Sequence, residues 1–334
     1  MRFQLRPNKS VWAEKLYISR VSGPEKPADR KSVHRRLEKT GEPAEKLAGK
    51  RPVQRRPGRI PVLAVRPADR KASSVGVLWI HGGGYILGMK EMVYMGRAMD
   101  LIREFGVTVF SPGYRLAWQK PYPAAVRDCF AVLKYMHENR KKLGFERIMV
   151  GGESAGGGLC AAVCMMARDR GIPVELQMPL YPMLDNRDTE TSRDNHGKIW
   201  NTRRNHLGWR LYLRGAVKKR VPPYASPAQQ TDYKDLPPCI TFVGDGEPFF
   251  TETLQYVKNL RAAGVEAEAD VYHTNMHAFD MLRPGSEPAE AARQKFLERF
   301  GRAIGLRGTE AQKAAAADAP GGNNAPSAGE NSGK

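Results

Sequence analysis

Residues 147–160 read RIMVGGESAGGGLC, and this stretch decides the fold. An apolar run of strand character, 147–151, ends in glycines. Helical periodicity begins immediately afterwards, over 155–170. Between the two sits Gly152-Glu153-Ser154-Ala155-Gly156, a G-x-S-x-G pattern at a strand-to-helix turn. Such a turn holds its serine in a strained backbone conformation with the hydroxyl presented, and the flanking glycines let neighbouring elements pass close by. The bare pattern is weak evidence, and its placement between strand and helix gives it weight.

Working outward, short β-rich runs alternate with helical stretches. The runs are 60–66, 75–80, 107–111, 147–151, 174–180, 239–244 and 267–272, and the helical segments are 90–105, 123–142, 155–170, 250–263 and 288–303. This alternation predicts an α/β fold, a mostly parallel central sheet flanked by helices. The near-continuous apolar content of 77–80 and 239–243 fits strands buried on both faces. Residues 185–220, rich in Arg, Asn and Trp, interrupt the rhythm for longer than a structureless loop would, so an inserted helical element is expected there. Residues 1–58 are rich in Lys, Arg and Pro and suggest short helices near 11–18 and 29–38 followed by a linker. After about Arg307 the chain is small and polar, which predicts a disordered tail over 307–334.

The chain of 334 residues is long enough for one large core. Hydrophobic residues at 41% and charged residues at 27% are ordinary for a globular protein, whereas the net charge of +19 is not. The excess lies in two segments: 1–71, with 20 Lys and Arg against 7 Asp and Glu, and 185–220, with 10 against 4. Neither carries a nucleic-acid motif or a long amphipathic pattern, so a solvated basic surface is the simplest reading. A second reading is a positive field over a site mouth that steers anionic substrates. The four cysteines, Cys129, Cys160, Cys164 and Cys239, show no metal-binding spacing and read as reduced, mostly buried thiols. The N-terminal residues lack a signal-peptide apolar run, and no window of about 18 apolar residues occurs, so a cytoplasmic location is expected.

A second motif, His81-Gly82-Gly83-Gly84-Tyr85, follows the strand 75–80. Consecutive glycines leave N–H groups unobstructed, and acyl transfer needs such donors where a carbonyl oxygen becomes an oxyanion. The N–H groups of Gly83, Gly84 and Ala155, the residue after the serine, are the expected oxyanion hole. A nucleophilic serine needs a base. Of the seven histidines only His273 and His277 follow a late strand, and His277 lies in the loop beyond it, while His273 falls at the strand terminus. The turn Gly244-Asp245-Gly246-Glu247-Pro248 offers two carboxylates to orient the imidazole, and spacing alone does not choose between Asp245 and Glu247.

Taken together, HGGGY, GESAG, YRLA (114–117), PLYPMLD (179–185), GDGEPF and HAFD resemble the hormone-sensitive lipase family of α/β-hydrolases, over roughly residues 60–300. The resemblance implies the α/β-hydrolase fold with a helical cap. It divides the chain into an N-terminal cap segment and linker (1–58), a catalytic core (59–184 and 221–306) and an inserted cap segment (185–220). It implies hydrolysis of carboxylic esters, with a preference for short acyl chains, through a catalytic triad of Ser154, Glu247 and His277. Glu247 stands where the family carries Asp before Pro, and it precedes His277 by 30 residues. No metal and no organic cofactor is implied; the expected partner is a small-molecule ester, and a homodimer is compatible with the family. His81, Tyr114 and Arg115 are expected to support the oxyanion loop, and Trp12, Trp200, Trp209 and Tyr212 are candidates for an apolar acyl pocket or for plain packing of the cap. The competing function class is a ligand-binding protein of the same fold without catalysis.

Overall fold

A computed structural model describes residues 11–20, 58–68, 72–215 and 220–305. Eight strands form one sheet in the order β1-β2-β4-β3-β5-β6-β7-β8: β1 Val11–Ser19, β2 Arg59–Pro67, β3 Val75–Ile80, β4 Thr108–Pro112, β5 Arg147–Glu153, β6 Leu176–Leu180, β7 Cys239–Gly244 and β8 Ala267–Tyr272. The β1–β2 and β2–β4 pairs are antiparallel, and from β4 across to β8 every pair is parallel. The helices are α1 Arg97–Phe105, α2 Ala124–Leu143, α3 Ala155–Arg168, α4 Thr202–Leu213, α5 Phe250–Ala262, α6 Phe279–Leu282 and α7 Glu287–Ala303.

The pleat of β3 shows why a nearly all-apolar hexamer forms a central strand. Leu78 and Ile80 point to the layer of α2 and α3, where they meet Val150, Leu159 and Phe130. Val75, Val77 and Trp79 point to the opposite layer, where they meet Met149, Leu101, Leu297 and Phe300 of β5, α1 and α7. A strand buried on both faces gains on both, since each fully buried large aliphatic or aromatic side chain contributes roughly 1.5–3 kcal/mol of transfer free energy. The seven strands read from the sequence are all present, within two residues at their ends.

One expectation fails among the described residues of the N-terminal segment. Residues 11–18 do not form a helix, and 11–19 is not part of a cap: it is the edge strand β1, paired with β2 from Val11↔Pro67 to Ser19↔Arg59. The stretch Ala13-Glu14-Lys15-Leu16 is made of good helix formers, but tertiary pairing overrides so weak a preference. The predicted helix at 29–38, its linker and the tail 307–334 lie outside the described residues. The stretch 90–105 also divides, into a 3-10 turn at Lys90–Tyr94 and α1. The inserted segment does contain a helix, α4, whose N-cap Asn201 accepts from the Arg204 N–H at 3.1 Å.

Candidate active site

The turn between β5 and α3 places Ser154 at φ 57°, ψ −121°, a conformation that L-residues with a Cβ adopt only when their surroundings impose it. Those surroundings are three backbone bonds: Ser154 N–H to Leu180 O at 3.0 Å, and the N–H groups of Gly158 and Met183 to Ser154 O, each at 3.0 Å. Gly152 and Gly156 are required here. A Cβ on Gly152 would lie 2.5 Å from Ile80 O, and one on Gly156 would collide with the same carbonyl.

Ser154 Oγ lies 2.8 Å from His277 Nε2, and His277 Nδ1 lies 2.5 Å from Glu247 Oε2. All three side chains are buried, Glu247 completely. The second Glu247 oxygen accepts from the Gly244 N–H at 2.6 Å. With Glu247 as acceptor, Nδ1 carries the proton and Nε2 is left to accept from the serine hydroxyl. The imidazole is wedged between the edges of Tyr181 and Phe249, ring centroids 5.1 and 5.0 Å away. Burial pushes the Glu247 carboxyl above its ordinary pKa, and the neighbouring His277 opposes that shift.

Asp245, the competing carboxylate, is turned elsewhere. It meets His273 Nδ1 at 2.8 Å and the Thr274 N–H at 3.1 Å at the surface, and this pairing lowers its pKa. His196 and His206 pair with Asp194 and Asp188 on the exposed side of the inserted segment. Of the two carboxylates that the sequence left open, the geometry brings Glu247 to His277 and leaves Asp245 with His273.

The glycine loop passes directly over the serine: a Cβ on Gly82 would lie 2.9 Å from Glu153 O and 3.2 Å from Ser154 Cβ. Gly83 (φ 110°), Gly84 (φ 59°) and Tyr85 (φ 64°) are consecutive positive-φ residues, and Gly83 O accepts from the N–H groups of Ile86 and Leu87 at 3.0 and 2.8 Å. Ala155 opens α3, so its N–H has no partner within the helix. Of the expected supports, Tyr114 stacks on His81 at 4.2 Å and donates to its carbonyl at 3.0 Å, whereas the Arg115 side chain grips Asp128 of α2 through two bonds of 2.9 and 2.8 Å. Burial drives His81 down to about 4, so its ring is neutral near pH 7, with Nδ1 2.8 Å from Gly82 O.

The aromatic candidates separate. Trp12 sits on β1 and pairs across to Arg66, four strands from β5 and away from the triad. Trp209 and Tyr212 pack on Tyr85, at 5.3 and 4.0 Å, and Trp200 lies against Gly84. Sequence reading missed a buried polar group beneath the histidine. Tyr181 Oη donates to Asp280 Oδ1 at 2.8 Å, and Arg97 Nε lies 3.2 Å from Asp280 Oδ2. Both Tyr181 and Asp280 stand inside the quoted PLYPMLD and HAFD motifs, which is the signal that could have found them. Glu153 accepts from Trp79 Nε1 at 2.7 Å. All four cysteines are buried and unpaired, and no helix among the described residues is long and apolar enough to cross a membrane.

Comparison with known proteins agrees with this fold. Residues 77–281 match the family of the alpha/beta hydrolase fold. The carboxylic ester hydrolase LipN of Mycobacterium tuberculosis is 32% identical over 66% of this chain, and the match spans 61% of that protein's length. An ethyl acetate hydrolase of Pseudomonas putida is 28% identical over 70% of this chain and 74% of its own. Among solved structures, a bacterial heroin esterase superposes with a TM-score of 0.73 at 28% identity, covering 89% of this chain and 85% of its own. With the sheet order, the serine turn and the family match in agreement, the chain belongs to the α/β-hydrolase fold, in its hormone-sensitive-lipase-like family.

Proposed function

We infer that this protein is a serine carboxylic-ester hydrolase in which Ser154 is the nucleophile, His277 the general base and Glu247 the acid that orients it. The observation that carries the reading is the unbroken chain from Glu247 Oε2 to His277 Nδ1 at 2.5 Å and from His277 Nε2 to Ser154 Oγ at 2.8 Å. His277 takes the serine proton as Oγ attacks the ester carbonyl carbon. The carbonyl oxygen becomes an oxyanion facing the N–H groups of Gly83, Gly84 and Ala155. The C–O bond to the alcohol then breaks, and the alcohol leaves with the proton from His277. Water, deprotonated by the same imidazole, attacks the acyl-enzyme, and the acid departs as Oγ recovers the proton.

The relatives named for ester hydrolysis support this reaction class, and the ethyl acetate hydrolase among them favours small acyl groups. The indole lying against Gly84 fits the same preference, because it occupies space beside the reacting carbonyl. Four buried, unpaired thiols suit a reducing compartment, the cytoplasm. The test is hydrolysis of p-nitrophenyl acetate together with labelling by a fluorophosphonate probe. Both are expected in the wild-type protein and neither in Ser154→Ala. An unlabelled, inactive wild-type protein with ligand affinity would instead mark a binding protein of this fold.

A further inference from the structure

Within the inserted segment, Trp200 meets the glycine loop beside the serine. Trp200, only 7% exposed, donates from Nε1 to Asn205 Oδ1 at 3.3 Å, and Asn205 is itself buried. From that anchor the benzo edge of the indole reaches the glycine loop so closely that a Cβ on Gly84 would fall within the ring. Gly208 of α4 closes in from the same side: a Cβ there would lie 2.9 Å from Gly84 O and 3.5 Å from Trp200 Cζ2. On the next residue, Tyr85 is fixed by its bond to Met183 O at 2.9 Å and by its stack on Tyr212.

Gly83 and Gly84, like Gly82 before them, have a wide choice of backbone conformations because they lack a Cβ. Within the loop, the Ile86 and Leu87 N–H groups hold the carbonyl side of the Gly83–Gly84 peptide. From outside the loop, the pinned indole packs against Gly84 where a Cβ would stand, and so bears on the other side of the same peptide. A donor contributes to catalysis only if it is already aimed where charge develops.

We propose that Trp200 is a positioning residue for the reaction: by pressing on Gly84 it holds the Gly83–Gly84 backbone with its N–H groups toward the oxyanion, so that the inserted segment sets the donor geometry. The proposal rests on the reading of Gly83 and Gly84 as oxyanion donors. It makes the contact between insertion and glycine loop a determinant of transition-state stabilisation and not only a pocket wall.

The experiment compares Trp200→Phe, whose shorter ring cannot reach Gly84 from the same backbone, with Trp200→Ala and with Asn205→Ala, which keeps the indole but removes its anchor. Folding is checked by thermal melting, and activity is measured on p-nitrophenyl acetate. Loss of one preorganised donor costs roughly 100- to 1,000-fold in kcat, so a displaced donor is expected to cost roughly 10- to 100-fold in Trp200→Phe, with KM changed by less than about threefold. The affinity of a methyl trifluoromethyl ketone, which adds to the serine and forms the oxyanion, should fall by the same factor. The acidic limb of the pH profile should stay in place, because the Glu247–His277 pair is untouched. Asn205→Ala should show a smaller loss of the same kind. Unchanged kcat with only a raised KM, or reduced kcat with full ketone affinity, would overturn the proposal and leave Trp200 as a pocket wall. A wild-type protein without esterase activity, or Ser154→Ala with undiminished activity, would instead sink the parent reading, whatever Trp200 does.

Discussion

Glu247 meets His277 Nδ1 with one carboxylate oxygen, at 2.5 Å, while its other oxygen is held by the Gly244 N–H of its own turn at 2.6 Å. The carboxylate is thus held through both oxygens. Glu247→Gln keeps the shape but offers an amide in place of the anion, so the histidine tautomer and the forming imidazolium both lose support. A fall in kcat of roughly 10³- to 10⁴-fold is expected. Asp245→Asn, which disturbs only the surface pair with His273, should leave kcat within about threefold. Steady-state kinetics on one neutral ester decide between them, and the reverse ranking would make Asp245 the orienting acid.

Burial raises Glu153 to about 8, although the indole N–H of Trp79 donates to it. Its unfolded value is the ordinary 4.5. Between these values the native state holds a proton that the unfolded chain has released, so stability falls as pH rises through that window. His81 works the other way: its native value is about 4 against 6.5 unfolded, so stability rises with pH between 4 and 6.5. The two slopes oppose each other up to pH 6.5, and above it the Glu153 slope continues alone of the pair. Glu153→Gln should therefore flatten the loss between pH 6.5 and 8, a difference of up to about 2 kcal/mol at ~1.4 kcal/mol per pH unit. Urea denaturation at pH 6.5, 7.2 and 8 measures it; parallel curves for variant and wild type would refute the assignment.

Arg97 lies between two buried carboxylates, with Nη1 3.0 Å from Asp100 Oδ2 and Nε 3.2 Å from Asp280 Oδ2. Removing one partner of a buried ion pair strands the other charge, at a cost of about 3–5 kcal/mol. Arg97→Met is expected to lose about that much in urea unfolding. Asp280 follows His277 by three residues and is also held by Tyr181, so the loosened turn should depress kcat as well. A variant with an unchanged urea midpoint would show that the cluster carries little stability.

The sequence made the candidate catalytic edge of the sheet readable because its signals are local. The strands β3, β5 and β7 are apolar on both faces, and the serine and histidine stand at their ends or in loops whose positions follow from chain order. The choice between Asp245 and Glu247 was not local, because both lie in one turn and only its folded path turns one inward. β1 was missed for a related reason: VWAEKLYIS mixes apolar alternation with helix formers, and its partner strand begins beyond a long intervening segment. The contact of Trp200 with Gly84 has no sequence signature, since it depends on how the insertion folds back over the glycine loop.

That fold-back also places charge. The inserted segment touches the glycine loop through Trp200 and the acid turn through Asn195 Nδ2, 3.3 Å from Gly246 O. Arg193, Lys198, Arg203 and Arg204 stand exposed along the stretch that spans these two walls. Charges so exposed contribute little to stability, but they shape the potential that an approaching substrate meets. At 0.01 M ionic strength the Debye length is about 30 Å, and at 0.15 M it is about 8 Å, so attraction from this rim should be strong in the first condition and weak in the second. The kcat/KM for a carboxylate-bearing p-nitrophenyl ester is therefore expected to fall several-fold over that range, while a neutral ester of equal acyl length changes little. Reversing Arg193 and Arg203 to Glu should remove the difference without altering kcat for the neutral ester. Equal salt sensitivity of the two esters in the wild-type protein would mean that the basic rim has no part in capturing substrate.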